Sequence, residues 1–339
     1  MRHPCSIRMA AVLAGALCLL PIHARAAGPP PPDVDHLQFN YHGGALLTHV
    51  RVSTLFWGRE WVQSPLPGFF NQFFTDLFAD GRYLGNLAQY SAGGNSIGNG
   101  EFVATATDPQ EPPAVVTDDQ TRAEIRAQIQ AGKLPPPDAN TIYAVFTPTG
   151  IVVENSAGES SASDILAYHD YSYAGDSNFG DPAGSQTGNF AYLVIPTVTN
   201  DDAVKFARQD TPHLETAAIS HELAEAVTDP DPSEQALGQG GWYDSVGHNG
   251  EIGDIVDYLY FAGRITPQDL FDVLAVPGGR RYLVQKEWSN QDNKPVAFAA
   301  APHSRAAASS CRGRRPGSSV ARPPPAFIAA SPRRTPPVC

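Results

Sequence analysis

Apolar positions along the chain recur with two periods, and the switches between them mark the elements. Phe69, Phe70, Phe73, Phe74, Leu77 and Phe78 repeat at helical spacing and Gly81 follows as a left-handed stop. A helix is therefore predicted over residues 67–80, its aromatic face turned to the core. Residues 46–57 (L-L-T-H-V-R-V-S-T-L-F-W) are rich in β-branched and aromatic types and read as a strand, as do residues 141–147, 165–173 and 190–196. Residues 83–90 suit a second short helix. Thr117 with Gln120 forms a capping box for a helix through Ala131, closed by Gly132 and the prolines at 135–137. The order is strand, helix, a further strand, helix, three strands, and then one long helix.

That last helix carries the chemistry. In T-P-H-L-E-T-A-A-I-S-H-E-L-A-E-A-V-T-D-P, residues 211–230, Thr211 suits the N-cap, Pro212 the first helical position, and Pro230 the stop. Ile219, Leu223, Val227 and the alanines make an apolar stripe, which predicts an amphipathic helix of about 17 residues. His221 and Glu225 are four apart and share one face, with Glu222 set aside from it. This is the layout of the H-E-x-x-H zinc helix with the second ligand changed to a carboxylate. A plain solvated helix is the competing reading. What favours a metal is the segment 241–257, G-W-Y-D-S-V-G-H-N-G-E-I-G-D-I-V-D, where Asp244, Glu251, Asp254 and Asp257 follow His221 by 23 to 36 positions, close enough for a loop to supply a third ligand.

With zinc, His221 and Glu225 are two expected ligands and Asp254 or Glu251 the third, leaving a position for an activated water. Glu222 is the expected general base, and His248 and Tyr243 are candidates to stabilise the oxyanion. One imidazole with two carboxylates is a hard, negative donor set, so calcium or manganese is an alternative and a purely structural ion stays open. His169 and Asp170 lie on a predicted strand and can line a cleft, although strand histidines are more often structural. Residues 184–188, G-S-Q-T-G, place the serine one position too early for a nucleophile elbow. The fold expected is α+β, a zincin-like layered mixed sheet with a metal-binding helix, as one domain over residues 36–298.

Charge sharpens the picture of partners. Three of the 23 basic residues precede residue 27 and seven follow residue 300, whereas all 35 acidic residues lie between them, so the body is near −22. Such a body repels nucleic acid and anionic membrane, leaving divalent cations and peptide or other neutral or basic substrates. Arg2 and Arg8, the apolar run 9–20 and Ala24-Arg25-Ala26 read as a signal peptide over residues 1–26, with a retained anchor as the alternative. The expected location is secreted or periplasmic, with no transmembrane span in the mature chain and a monomeric state. Residues 27–35 are a proline-rich linker, and residues 299–339 a disordered basic tail without an acidic residue. Cys5, Cys18, Cys311 and Cys339 all fall outside the body, so no disulfide is expected in it.

Six words in order, Y-H-G-G-A-L-L-T at Tyr41, L-F-W-G-R-E-W at Leu55, S-H-E-L-A-E-A-V-T-D-P at Ser220, G-W-Y-D at Gly241, N-G-E-I-G-D at Asn249 and E-W-S-N at Glu287, carry a resemblance. Over residues 37–293 the chain resembles the Exordium, or phosphate-induced, secreted proteins of plants and their exported bacterial relatives. The resemblance implies a secreted protein with a zincin-like metal helix. It implies no settled activity, so a non-catalytic envelope or signalling role stands beside the hydrolase. Relatives place a cysteine after the E-I-G-D word and another after W-S-N. Here Ile255-Val256-Asp257 and Gln291-Asp292-Asn293 stand there, and both halves of that clamp are missing.

Overall fold

A computed structural model describes residues 37, 39–163, 165–173, 188–198, 211–244 and 250–300. The expected leader and linker, nearly all of the expected tail, and His248 lie outside the described residues. The main elements among the described residues are β1 (Arg51–Trp57), α1 (Leu66–Asp80), α2 (Arg82–Leu87), β2 (Glu101–Asp108), α3 (Asp118–Gln130), β3 (Thr141–Thr147), β4 (Tyr168–Ser172), β5 (Phe190–Pro196), α4 (Thr211–Thr228), α5 (Asp254–Phe261), β6 (Phe271–Ala275) and β7 (Arg281–Gln285). The chain is α+β.

Five strands form one sheet in the order β2-β1-β3-β5-β4. All neighbours run parallel except β4, which lies antiparallel to β5 at one edge, with His169 opposite Leu193 and Asp170 opposite Tyr192. The period of two is visible in the packing. Val52, Phe56, Ile142, Ala144, Phe146, Leu193 and Ile195 face one core with α1 and α4, whereas Leu55, Tyr143, Val145, Tyr192 and Val194 face the other with α3. Because both faces are covered, β3 and β5 are apolar runs buried at every position.

The local signals act as their chemistry dictates. Gly81 closes α1 at φ 69°, its N–H bonded to the Leu77 carbonyl. Thr117 and Gln120 form the reciprocal capping box of α3. The first strand is shorter than expected, and residues 46–50 lead into it as irregular chain. The edge strand likewise covers Tyr168–Ser172 of the expected 165–173.

The competing reading of a plain solvated helix does not hold for α4, since from Leu214 to Thr228 all but one residue is buried. The covering layer is the antiparallel hairpin β6–β7, whose Gln285 N–H donates to the Ser220 hydroxyl at 2.9 Å. Arg280 and Tyr282 of that hairpin bind Asp76 on α1 at 2.7–2.8 Å, which holds the lid to the helix layer. The polar residues of α4 therefore face protein, and each needs an internal partner.

Candidate metal centre

The end of α4 is fixed by glycines that admit close backbone approach. A Cβ at Gly241 would lie 2.0 Å from the Thr228 carbonyl oxygen, and one at Gly44 would lie 2.3 Å from the Gly240 backbone. Asp229 accepts from the Gly241 N–H at 2.8 Å and from Gln235 at 3.1 Å. The words around Tyr41, Ser220 and Gly241 thus meet at one place in the fold.

Two turns earlier, His221 Nε2 is 3.1 Å from Glu225 Oε2 and 3.7 Å from Asp254 Oδ1. Asp254 does not sit in a free loop. It opens α5, where its own N–H and that of Gly253 both donate to Glu225 Oε1 at 3.0 Å. The start of that helix thereby orients the carboxylate, as anions favour helix N-termini. Behind His221, Gln285 Nε2 is 2.7 Å from Nδ1 and 3.2 Å from the Gly253 carbonyl. Asp257 Oδ2 is 3.7 Å from Nδ1. Below lies Glu287, which accepts from the Tyr83 hydroxyl at 2.7 Å.

The edge strand adds a second imidazole. His169 on β4 places Nδ1 3.1 Å from Glu222 Oε2 and 3.8 Å from Glu225 Oε2, and its Nε2 3.1 Å from the Asp229 carbonyl. Glu251 Oε1 is 3.6 Å from His169 Nε2 and has no hydrogen-bond partner among the described residues. Asp170 points to the opposite face, where it accepts from Ser156 at 2.8 Å, and burial pushes its carboxyl up to about 6.

Of the expected ligands, then, His221, Glu225 and Asp254 come together, while the only ion pair of Glu251 among the described residues is with His169. Tyr243 stacks on His42 with ring centroids 3.8 Å apart. Two sets of donors each lie within 4.8 Å of one another, one of His221, Glu225 and Asp254 and one of His169, Glu222 and Glu225. These buried groups can hold a metal ion.

Without a cation the cluster binds protons tightly. Burial opposes the charged form of His169, but the hydrogen bond and charge of Glu222, with Glu225 and Asp229, reverse this and raise it to about 9. Burial also opposes the His221 imidazolium, and Glu225 and Glu222 push it well above the usual histidine range. Glu251 is driven well above the carboxylate range by burial and then by Glu225, Asp229, Asp254 and Glu222. A site that must recruit protons to offset its own carboxylates is one that a divalent cation can stabilise.

Sequence reasoning left His169 open and missed Gln285, Glu287 and Tyr83. Strand alternation was the available signal for His169, since it must face away from Tyr168 and Asp170. Comparison of the chain with family models, with curated proteins and with solved structures finds no match.

Proposed function

We propose that the chain is a zincin-like metallohydrolase of the Exordium type, exported and acting on peptide bonds, with His221, Glu225 and Asp254 as its metal ligands. The observation that carries the reading is the placement of His221, Glu225 and Asp254 within 4.8 Å of one another beneath an antiparallel edge strand that precedes the helix in the chain. A zincin-like sheet uses such an edge strand to border its cleft.

The donor set fits a divalent cation. It combines an imidazole with two carboxylates, and an unpartnered buried carboxylate oxygen stands close by on Glu251. Binding at His221 Nε2 puts that ring's proton on Nδ1, so Gln285 would turn its amide oxygen toward it and fix the ring. Zinc suits the imidazole, and the two carboxylates also admit manganese or calcium. A bound cation supplies Lewis acidity toward a water and a substrate carbonyl. Glu222 Oε1, 3.9 Å from His221 Nε2, is positioned to take the proton of the attacking water and pass it to the leaving amine.

A second reading, a structural cation in a non-catalytic secreted protein, is favoured by burial. His221, Glu222 and Glu225 are each at most 4% exposed, and only the Asp254 side chain, at 25%, reaches solvent appreciably. The two readings are separated by metal analysis and a peptide-library digest of the purified full chain, with His221→Ala and Glu222→Gln. Hydrolysis that falls at least about 100-fold in Glu222→Gln while the ion held through His221 is retained supports the hydrolase. A retained ion with no cleavage by the wild type leaves the structural reading, and a wild type that binds no ion removes both.

A further inference from the structure

Glu225 stands between two imidazoles, its Oε2 3.1 Å from His221 Nε2 and 3.8 Å from His169 Nδ1. Both sets of close donors contain Glu225, and neither contains both histidines. Nitrogens on one zinc lie about 2.0–2.1 Å from it, so two of them can be no more than roughly 4.2 Å apart. As placed, one ion cannot serve both rings.

We propose that the cluster is a dinuclear centre, in which a second divalent cation is held by His169 Nδ1, Glu222 Oε2 and Glu225, and Glu225 bridges it to the first. The inference rests on the metal reading above and adds a site to it.

Three observations carry it. The first is the direction of the His169 ring. Its Nε2 faces the Asp229 carbonyl at 3.1 Å, which only accepts, so Nε2 holds a proton and Nδ1 is the nitrogen turned toward the two carboxylates. Metal-bound histidines are oriented by such a bond to a backbone carbonyl. The second is Glu251, 5% exposed, whose Oε1 has no hydrogen-bond partner among the described residues and lies 3.6 Å from His169 Nε2, the nitrogen turned away from the added ion. It acts on that ion through the ring and by its charge, without ligating it. The third is charge. Five acids, Glu222, Glu225, Glu251, Asp254 and Asp257, face the two imidazoles, more than one divalent cation can offset. Glu222 divides its oxygens in this arrangement, Oε2 toward His169 and Oε1 toward His221.

The test counts ions. The full chain is saturated with zinc, and separately with manganese, desalted, and measured by elemental analysis beside calorimetric titration. Two ions per chain are expected in the wild type and one in His169→Ala. Glu251→Gln, which keeps the side-chain shape, is expected to weaken one of the two sites by about 10-fold or more and leave the other unchanged. Circular dichroism checks that each variant folds, and if His169→Ala does not, Glu251→Gln decides. A single ion that saturates the wild type, two ions retained in His169→Ala, or unchanged affinities in Glu251→Gln each overturn the second site. One ion lost in His221→Ala but kept in His169→Ala sinks this proposal and leaves the mononuclear reading standing, whereas no bound ion at all sinks both.

Discussion

The Tyr83 hydroxyl on α2 donates to Glu287 Oε1 at 2.7 Å, directly below His221, and its oxygen is also 3.0 Å from the Ser220 carbonyl. Glu287 is 1% exposed and burial pushes its carboxyl up to about 8, with His221 opposing. Its other oxygen, Oε2, has no hydrogen-bond partner, so Tyr83 is the one side chain that satisfies this acid by hydrogen bonding among the described residues. Tyr83→Phe is expected to destabilise the fold by about 1–3 kcal/mol, the cost of leaving a buried acceptor unsatisfied. Urea denaturation measures this, and an unchanged midpoint would contradict it.

Gly253 has ordinary dihedrals, φ −88° and ψ −44°, so alanine meets no backbone strain there. The obstacle is space: a Cβ would lie 2.7 Å from both His221 Nδ1 and Glu287 Oε2. Gly253→Ala is expected to displace His221 and weaken metal binding by about 10-fold or more, with an overpacking cost of about 1–3 kcal/mol. Gly68, inside α1 with nothing within 4 Å of its would-be Cβ, is the control. Gly68→Ala should stabilise by about 0.5–1 kcal/mol and leave titration with metal unchanged. Equal metal affinity in both variants would defeat the steric account.

Much of this was legible in the sequence because the determinants are local. Phe70, Phe73, Phe74 and Leu77 repeat within one helix, Thr117 and Gln120 cap within three residues, and His221 and Glu225 share a turn, so each could be read without knowing what lay opposite. The full burial of α4 could not be read that way. It depends on the hairpin that ends at Gln285, more than fifty residues downstream, and no periodicity in α4 encodes that partner. His169 was ambiguous for the same reason: its strand position was evident, but its role is set by Glu222 and Asp229 across the sheet-to-helix gap. The acid of E-W-S-N was visible as a letter and invisible as a contact, because Tyr83, 204 residues away, and Gly253 help define its place.

On the other face of the sheet, Asp118 and Arg122 form a buried ion pair on α3, and Asp118 also accepts from Tyr192 at 2.6 Å and Tyr168 at 2.9 Å. Removing Asp118 takes the buried partner from Arg122 and leaves it the half-exposed Asp119, with the Tyr192 hydroxyl 3.0 Å away. Asp118→Asn is expected to cost about 3–5 kcal/mol. The contrast is Arg51 with Glu101, whose side chains are 37% and 53% exposed, where Glu101→Gln should change stability by less than about 1 kcal/mol. Chemical denaturation of both variants gives the comparison, and similar losses would show that burial does not set the difference.

Glu215, in the second turn of α4, is 1% exposed and accepts from the Val198 N–H at 3.0 Å. Burial pushes its carboxyl up to about 8, opposed by that backbone hydrogen bond and reinforced by Glu60. In the unfolded chain the group titrates near an ordinary glutamate value of about 4.3. Between those two values the folded protein keeps the proton that the unfolded chain has released. Stability from this residue is therefore full below the unfolded value, falls as pH rises through the window, and levels off above about 8. Glu215→Gln keeps an acceptor for Val198 and removes the titration. Its advantage over the wild type should grow between pH 5 and pH 8 by on the order of 1–3 kcal/mol. Urea midpoints of the two proteins at pH 5, 6.5 and 8 measure that growth, and parallel pH profiles would mean that Glu215 is ionised in the folded state throughout.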